Sequence, residues 1–242
     1  MADLIRKNSG PSKPGFGKII AAILFVTAFF CLVYYLYSHS FLAAVSAFLS
    51  VFCGFSILIT GRASKKESAE IKRYGEIGER AAGSVLERCL PDGYTVIQNA
   101  VIRYGGEKSE IDNIVVGKTG IFIVEVKNNK GIINGNYNWH DWIQDKTDRY
   151  DIEHEKTFYS PVKQVGTHIY RLANYLRDNK VFTHVYGAVY FVNRDAKIII
   201  NGKPNEIPVF SYRTTKELLD YIRSGEANLT DRTIQKILQL LN

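Results

Sequence analysis

The apolar run Ile121-Phe122-Ile123-Val124, which closes on Glu125-Val126-Lys127, constrains the fold of this chain more than any other feature. A strand with no apolar–polar alternation is buried on both faces, so it belongs inside a sheet covered by other layers on each side. Ile111 to Val116 is also rich in β-branched residues, and Gly117-Lys118-Thr119-Gly120 separates the two runs, so they read as a β-hairpin. A two-residue or a four-residue loop gives one register, with Val116 opposite Ile121, Asp112 opposite Glu125 and Glu110 opposite Lys127. Side chains alternate along a strand, so Asp112, Glu125 and Lys127 share a face. Facing carboxylates repel, and a divalent cation between them removes the conflict. A lysine one pleat away completes a set suited to phosphodiester hydrolysis. The bland alternative is a Lys127–Glu110 cross-strand pair on an exposed sheet, with Asp112 solvated.

The chain has 242 residues, 46% of them hydrophobic, enough for one sizeable domain plus an appendage. Of the formal +7 charge, four bases (Arg6, Lys7, Lys13, Lys18) and one acid (Asp3) stand before residue 60, leaving only +4 for the rest. That excess allows an anionic partner without demanding one. Cys31, Cys53 and Cys89 have no metal-ligand spacing and form no disulfide framework, which points to a reducing compartment.

Ile19 to Tyr37 and Phe41 to Ile59 are uncharged and apolar, and Ser38-His39-Ser40 alone separates them. Each run would extend about 28 Å as a helix, close to a bilayer's hydrocarbon thickness. The expectation is a transmembrane helical hairpin over residues 19–60, contacting lipid through 19–59. Tyr34, Tyr35 and Tyr37 suit an interface near the turn. Basic residues flank the outer ends (Arg6, Lys7, Lys13 and Lys18 before; Arg62, Lys65 and Lys66 after), so both termini and the soluble domain are expected in the cytoplasm. The first run is too long for a signal-peptide core, and a second run follows it.

The remaining organisation is a basic tail at 1–18, a charged juxtamembrane linker at 61–72, a catalytic-type domain at 73–212 and C-terminal helices at 213–242. Tyr74 to Leu90 predicts an amphipathic helix stopped by Pro91-Asp92-Gly93. Strands are predicted over 94–103, 185–192, 198–200 and 207–210, and more hairpin material over 131–142. Asp145 to Glu155 predicts a polar, mobile segment. Helices are predicted from Pro161 to about Asp178, over Thr215–Arg223, and over Asp231–Leu241 with Thr230 as N-cap. This order indicates an α/β sandwich with a mixed sheet flanked by helices.

Gly75-Glu76-Ile77-Gly78-Glu79, Glu110-Ile111-Asp112-Asn113-Ile114-Val115-Val116, Gly120 to Asn128, Gly131 and Gly135, Trp142, and Ser160-Pro161-Val162-Lys163-Gln164 arrive in the order found in the NERD (nuclease-related) domain. Over roughly residues 72–185 the chain resembles that family. The resemblance implies a restriction-endonuclease-like fold of the PD-(D/E)xK superfamily, often joined to transmembrane segments. Ser160 stands where the family usually has asparagine before the proline.

On this reading Asp112 and Glu125 ligate Mg²⁺ or Mn²⁺, with waters and the Val126 carbonyl completing the shell. Lys127 serves the attacking water or the charge growing on phosphate. Glu79 reaches the metal through a water, with Glu76 ranked behind it, and Gln164 positions the phosphate or the lysine. For both glutamates and for Gln164, an ordinary helix surface competes evenly with a site role. Lys130, Lys146, Arg149, Lys156, Lys163 and Arg171 are interspersed with acids, so a solvated surface outweighs a nucleic-acid track. Trp139 and Trp142 suit packing better than base stacking. His140, His154, His168 and His184 lack zinc spacing, and no nucleophile elbow, Walker loop or dinucleotide fingerprint is present. The expected function is therefore a membrane-anchored, metal-dependent hydrolase of DNA phosphodiester bonds. The alternative is a non-catalytic, membrane-tethered nucleic-acid-binding or scaffold module.

Overall fold

The computed structural model describes residues 3–6, 16–38, 41–147, 153–204 and 206–241. Its elements in chain order are β1 (Asp3–Arg6), α1 (Phe16–Ser38), α2 (Phe41–Cys89), β2 (Thr95–Tyr104), β3 (Glu107–Gly117), β4 (Gly120–Lys127), β5 (Gly131–Asn136), β6 (Asp141–Thr147), β7 (Glu153–Tyr159), α3 (Pro161–Asp178), β8 (Val185–Phe191), β9 (Ala196–Asn201), β10 (Val209–Ser211), α4 (Thr215–Arg223) and α5 (Asp231–Leu241). Residues Ser9–Arg73 form one compact unit, and Tyr74–Asn242 with Met1–Asn8 form the other.

Both apolar runs of the first unit are helical, and Phe29, Phe30, Leu36, Phe48, Phe52 and Phe55 are exposed. Among the described residues no helix is long and apolar enough to cross a membrane, so the expected transmembrane hairpin is not supported. Its connection at His39 and Ser40 lies outside the described residues, as does the basic tail at 7–15. The second helix also does not stop near Ile59. It continues through residues 61–72, expected as a linker, and ends at Cys89. Lys65, Lys66, Glu67, Ala69, Glu70 and Lys72 include strong helix formers, and no proline interrupts them, so charge alone does not end the helix.

In the second unit a six-stranded mixed sheet has the order β1-β2-β3-β4-β8-β10. The β2–β3 and β3–β4 pairs are antiparallel; β4–β8, β8–β10 and β1–β2 are parallel. Strand β1 falls within the segment expected as a tail. Gly120 to Val126 is buried along its whole length, as the unbroken apolar run requires. Its even residues, Phe122 and Val124, pack with Ala82 and Leu86 of α2 and Leu218 and Ile222 of α4. The odd residues Ile121 and Ile123 pack with Val165 and Leu172 of α3 and Ile237 of α5. Burying each such side chain contributes about 1.5–3 kcal/mol, which makes β4 the central stabilising strand. A second sheet, β7-β6-β5-β9, joins the α3-side core through Ile133 and Trp142. Strands β6 and β7 enter the segment expected to be mobile from its two ends, and residues 148–152 lie outside the described residues. Glu153 to Thr157 is polar on both faces, so it lacks the apolar alternation by which a strand is recognised.

Candidate active site

The β3–β4 hairpin has the predicted register: Val116 pairs with Ile121 and Asn113 with Val124. The ladder ends there, one pair short of Asp112 and Glu125. The β2–β3 ladder is also interrupted at this level, between Gln98–Asn113 and Ala100–Ile111, where Asn99 has a φ of 54°. Asp112 supplies the missing acceptor from its side chain: Val126 N–H donates to Asp112 Oδ2 at 2.8 Å. Strand β4 continues against β8 as far as Lys127–Phe191. The Asp112 carboxylate is thus fixed beside the last residues of β4. Glu110 takes no part and pairs instead with Lys108 at 3.7 Å, so the bland Lys127–Glu110 pair is not formed.

Glu125 lies on the α3 side of the sheet and is 1% exposed. Its Oε1 accepts from Lys127 Nζ at 2.7 Å, and the same ammonium donates to Gln164 Oε1 at 3.0 Å. Gln164 stands in the first turn of α3. That helix starts at Pro161, which suits a first helical position, after Ser160, whose Oγ accepts from Lys163 N–H at 3.4 Å. Ser160 therefore performs the capping that its side chain allows, and its own N–H donates to His140 O at 2.8 Å, fixing where α3 begins. One turn further, His168 is buried with Nε2 3.6 Å from Glu125 Oε2, longer than a hydrogen bond. Among the described residues, Glu125 Oε2 and both ring nitrogens of His168 have no hydrogen-bond partner.

Burial and the neighbouring Glu125 hold Asp112 well above the usual carboxylate range, although Lys127 and the Val126 amide oppose them. Burial also acts to raise Glu125, but His168 and Lys127 together outweigh it, so its pKa falls. The two coupled carboxyl groups are thus shifted in opposite directions, Asp112 upward and Glu125 downward. Glu79 is raised by burial, then by Glu125, Glu76 and Glu110. It approaches from α2, where Gly78 lets the helix lie against Asn128: a Cβ on Gly78 would stand 2.6 Å from Asn128 Cβ. Asn128 Nδ2 also donates to Tyr74 O at 2.8 Å.

The structure thus joins Glu125, Lys127 and Gln164 by direct hydrogen bonds, anchors Asp112 on the Val126 amide, and brings Glu79 within electrostatic range. It leaves Glu76 outside, paired with Arg80 at 3.7 Å on the helix surface. Arg171 is engaged by Ser109 Oγ at 2.7 Å and Lys108 O, so it braces β3. Trp142 is buried and stacks on Phe191, while Trp139 is exposed. Arg149 lies outside the described residues. His168 was not among the expected site residues, because its spacing to other histidines carries no zinc signal. Its i,i+4 relation to Gln164 is the signal that places it on the site-facing stripe.

Among the described residues no group of three or more His, Cys, Asp or Glu side chains is placed to hold a metal ion. Glu79 accordingly does not complete a three-carboxylate set with Asp112 and Glu125. The two-carboxylate arrangement still fits a hard cation: Glu125 Oε2 is buried without a donor, and Mg²⁺ characteristically keeps several waters and uses one or two carboxylates.

The fold and site together define an α/β domain with a carboxylate pair and a lysine at the end of its central strands. Residues 74–192 match the family model described as the nuclease-related domain, NERD. An uncharacterised protein of Bacillus anthracis is 36% identical over 72 residues, a stretch covering 29% of this chain and 34% of that relative. The chain thus spans about a third of the length of this curated relative. No solved structure matches.

Proposed function

We propose that this chain is a divalent-metal-dependent nuclease that hydrolyses phosphodiester bonds of DNA. One observation carries the proposal: two acids, the half-buried Asp112 and the buried Glu125, are both tied to the end of β4 beside an ammonium that Gln164 holds in place. The match of residues 74–192 to a nuclease-related family supports it. So does a mixed sheet with helices on both faces, which suits a restriction-endonuclease-like fold.

Asp112 and Glu125 would hold Mg²⁺ or Mn²⁺, with Glu79 acting through a water. The bound ion would polarise a phosphoryl oxygen and acidify a water. Glu125 is kept ionised by Lys127 and His168, ready to coordinate. Lys127 supplies a fixed positive charge for the phosphate, and its amine is oriented before substrate arrives, so little reorganisation is left for the reaction. Gln164 restrains that amine by accepting a second hydrogen bond from it.

We also propose that the exposed apolar side chains of α1 and early α2 attach the protein to a lipid phase, with the domain cytoplasmic. Exposed Phe29, Phe30, Leu36, Phe48 and Phe52 support this, since so many large apolar groups in succession rarely face water.

The test is incubation of the 242-residue chain with duplex DNA, with and without Mg²⁺ or Mn²⁺. Cleavage that requires the metal and disappears in Asp112→Ala and Glu125→Ala is expected. Cleavage that survives both substitutions, or none under any metal, defeats the proposal. Retained DNA binding without turnover would favour the non-catalytic module.

A further inference from the structure

The β6–β7 hairpin sorts its charges by face. Register pairs Asp141 with Tyr159, Asp145 with Glu155 and Thr147 with Glu153, which puts the acids of the two described strands on one side of the ribbon. Gln144 pairs with Lys156, and Lys146 with His154, which puts the two lysines on the other side. That second side is also the side of Trp142 and Phe158, which pack into the α3-side core. Lysines that alternate with acids in the sequence are therefore not mixed with them in space.

The lysine face is joined to the end of β4. Gln144 Nε2 donates to Lys130 O at 2.7 Å, and Gln144 Oε1 accepts from Asn129 Nδ2 at 2.9 Å. Asn129 and Lys130 directly follow Lys127 and Asn128, so Gln144 ties the ribbon to the segment leaving the carboxylate site. Lys156 lies opposite Gln144, and Lys146 lies one pleat outward. Lys130 and Lys156 are exposed, and Lys146 is partly buried.

We propose that Lys130, Lys146 and Lys156 form a phosphate-binding surface that holds the backbone of a nucleic-acid strand next to the Asp112–Glu125 site. The assignment of the strand's scissile bond to that site rests on the nuclease reading; the surface itself does not. Burial, then the proximity of Lys156 and Lys130, lowers the Lys146 pKa, so the three ammonium groups repel one another in the free protein. A line of phosphates relieves that repulsion, and released counterions add to the binding free energy. The contacts are to phosphate, so they set position and carry no base specificity.

Binding of a labelled duplex oligonucleotide to the 242-residue chain, followed against salt in Ca²⁺ or EDTA so that no cutting intervenes, tests this. The triple variant Lys130→Ala, Lys146→Ala, Lys156→Ala is compared with a charge-matched triple at Lys118, Lys203 and Lys216. For duplex DNA the salt slope of log K should fall by about 0.9 per lysine lost from the surface, and the control should retain the parent slope. Circular dichroism establishes that each variant is folded, and the single Lys156→Ala, on an exposed strand, gives a one-lysine slope change if the triple does not fold. Equal slopes in the two triples, or no binding by the parent chain, overturn the proposal. A parent that binds with the lysine-dependent slope yet never cleaves DNA upholds this surface and removes only the nuclease reading.

Discussion

Asp112 and Glu125 carry opposite pKa shifts, and the signs lead to a prediction in the metal-free protein. A carboxyl raised on folding stabilises the fold below its unfolded pKa, about 3.9, and that contribution is lost as pH rises through the folded value. Asp112 is such a group. Glu125, lowered on folding, works the other way: its contribution is present above its unfolded pKa and is lost as pH falls through the folded value. Asp112→Asn should therefore make the metal-free protein more stable than the parent, by a margin that widens from about pH 4 upward. Thermal melts at several pH values in EDTA check this, and a margin that narrows as pH rises would contradict it. His168 offers a second test. It faces the Glu125 oxygen that has no hydrogen-bond donor, so His168→Ala should leave Lys127 in place but free that carboxylate to turn. Groups that orient a metal ligand typically change affinity 10–100-fold, so Mn²⁺ affinity should fall by at least about tenfold. An unchanged affinity would mean that Glu125 is oriented by Lys127 alone.

Elements differ in how openly the sequence announces them. Strand β4 and the β3–β4 register follow from Ile121 to Val126 and the glycine-flanked turn, because burial on two faces leaves an unbroken apolar run. Helix α3 and its N-terminus follow from Pro161 and the stripe Val165, Leu172 and Leu176. Strand β7 was hidden because Glu153 to Thr157 is polar on both faces. The end of the β3–β4 ladder at Asn113 was hidden too, since it depends on a side chain replacing a backbone acceptor. So was the continuity of α2 through residues 61–72, where a composition change looked like a boundary. The role of Gly78 is a packing fact: glycine in a helix ordinarily costs up to about 1 kcal/mol relative to alanine. Here Gly78→Ala should nevertheless destabilise, by roughly 1–3 kcal/mol, because the new methyl meets the Cβ of Asn128 and cannot rotate away. Urea unfolding reads this directly; a stabilised variant would show that α2 does not lean on Asn128 as described.

At the scale of the whole molecule, the α/β unit and the apolar helical unit pose separate questions. Cys31 and Cys53 lie in the apolar runs proposed to meet lipid, whereas Cys89 lies at the end of α2 in the other unit and is exposed. If the domain is cytoplasmic and lipid-attached, a membrane-impermeant thiol reagent should label Cys89 in lysed but not in intact cells. The protein should also sediment with the membrane fraction. Labelling of Cys89 in intact cells would reverse the orientation. The domain's chemistry rests on a single physical claim, that two acids on adjacent strands share one divalent ion. Calorimetric titration of Mn²⁺ into the 242-residue chain, repeated on Asp112→Asn and Glu125→Gln, tests that claim most directly. Saturable, stoichiometric binding that both substitutions abolish is the predicted result. Absence of saturable binding, or binding that both variants retain, would contradict it.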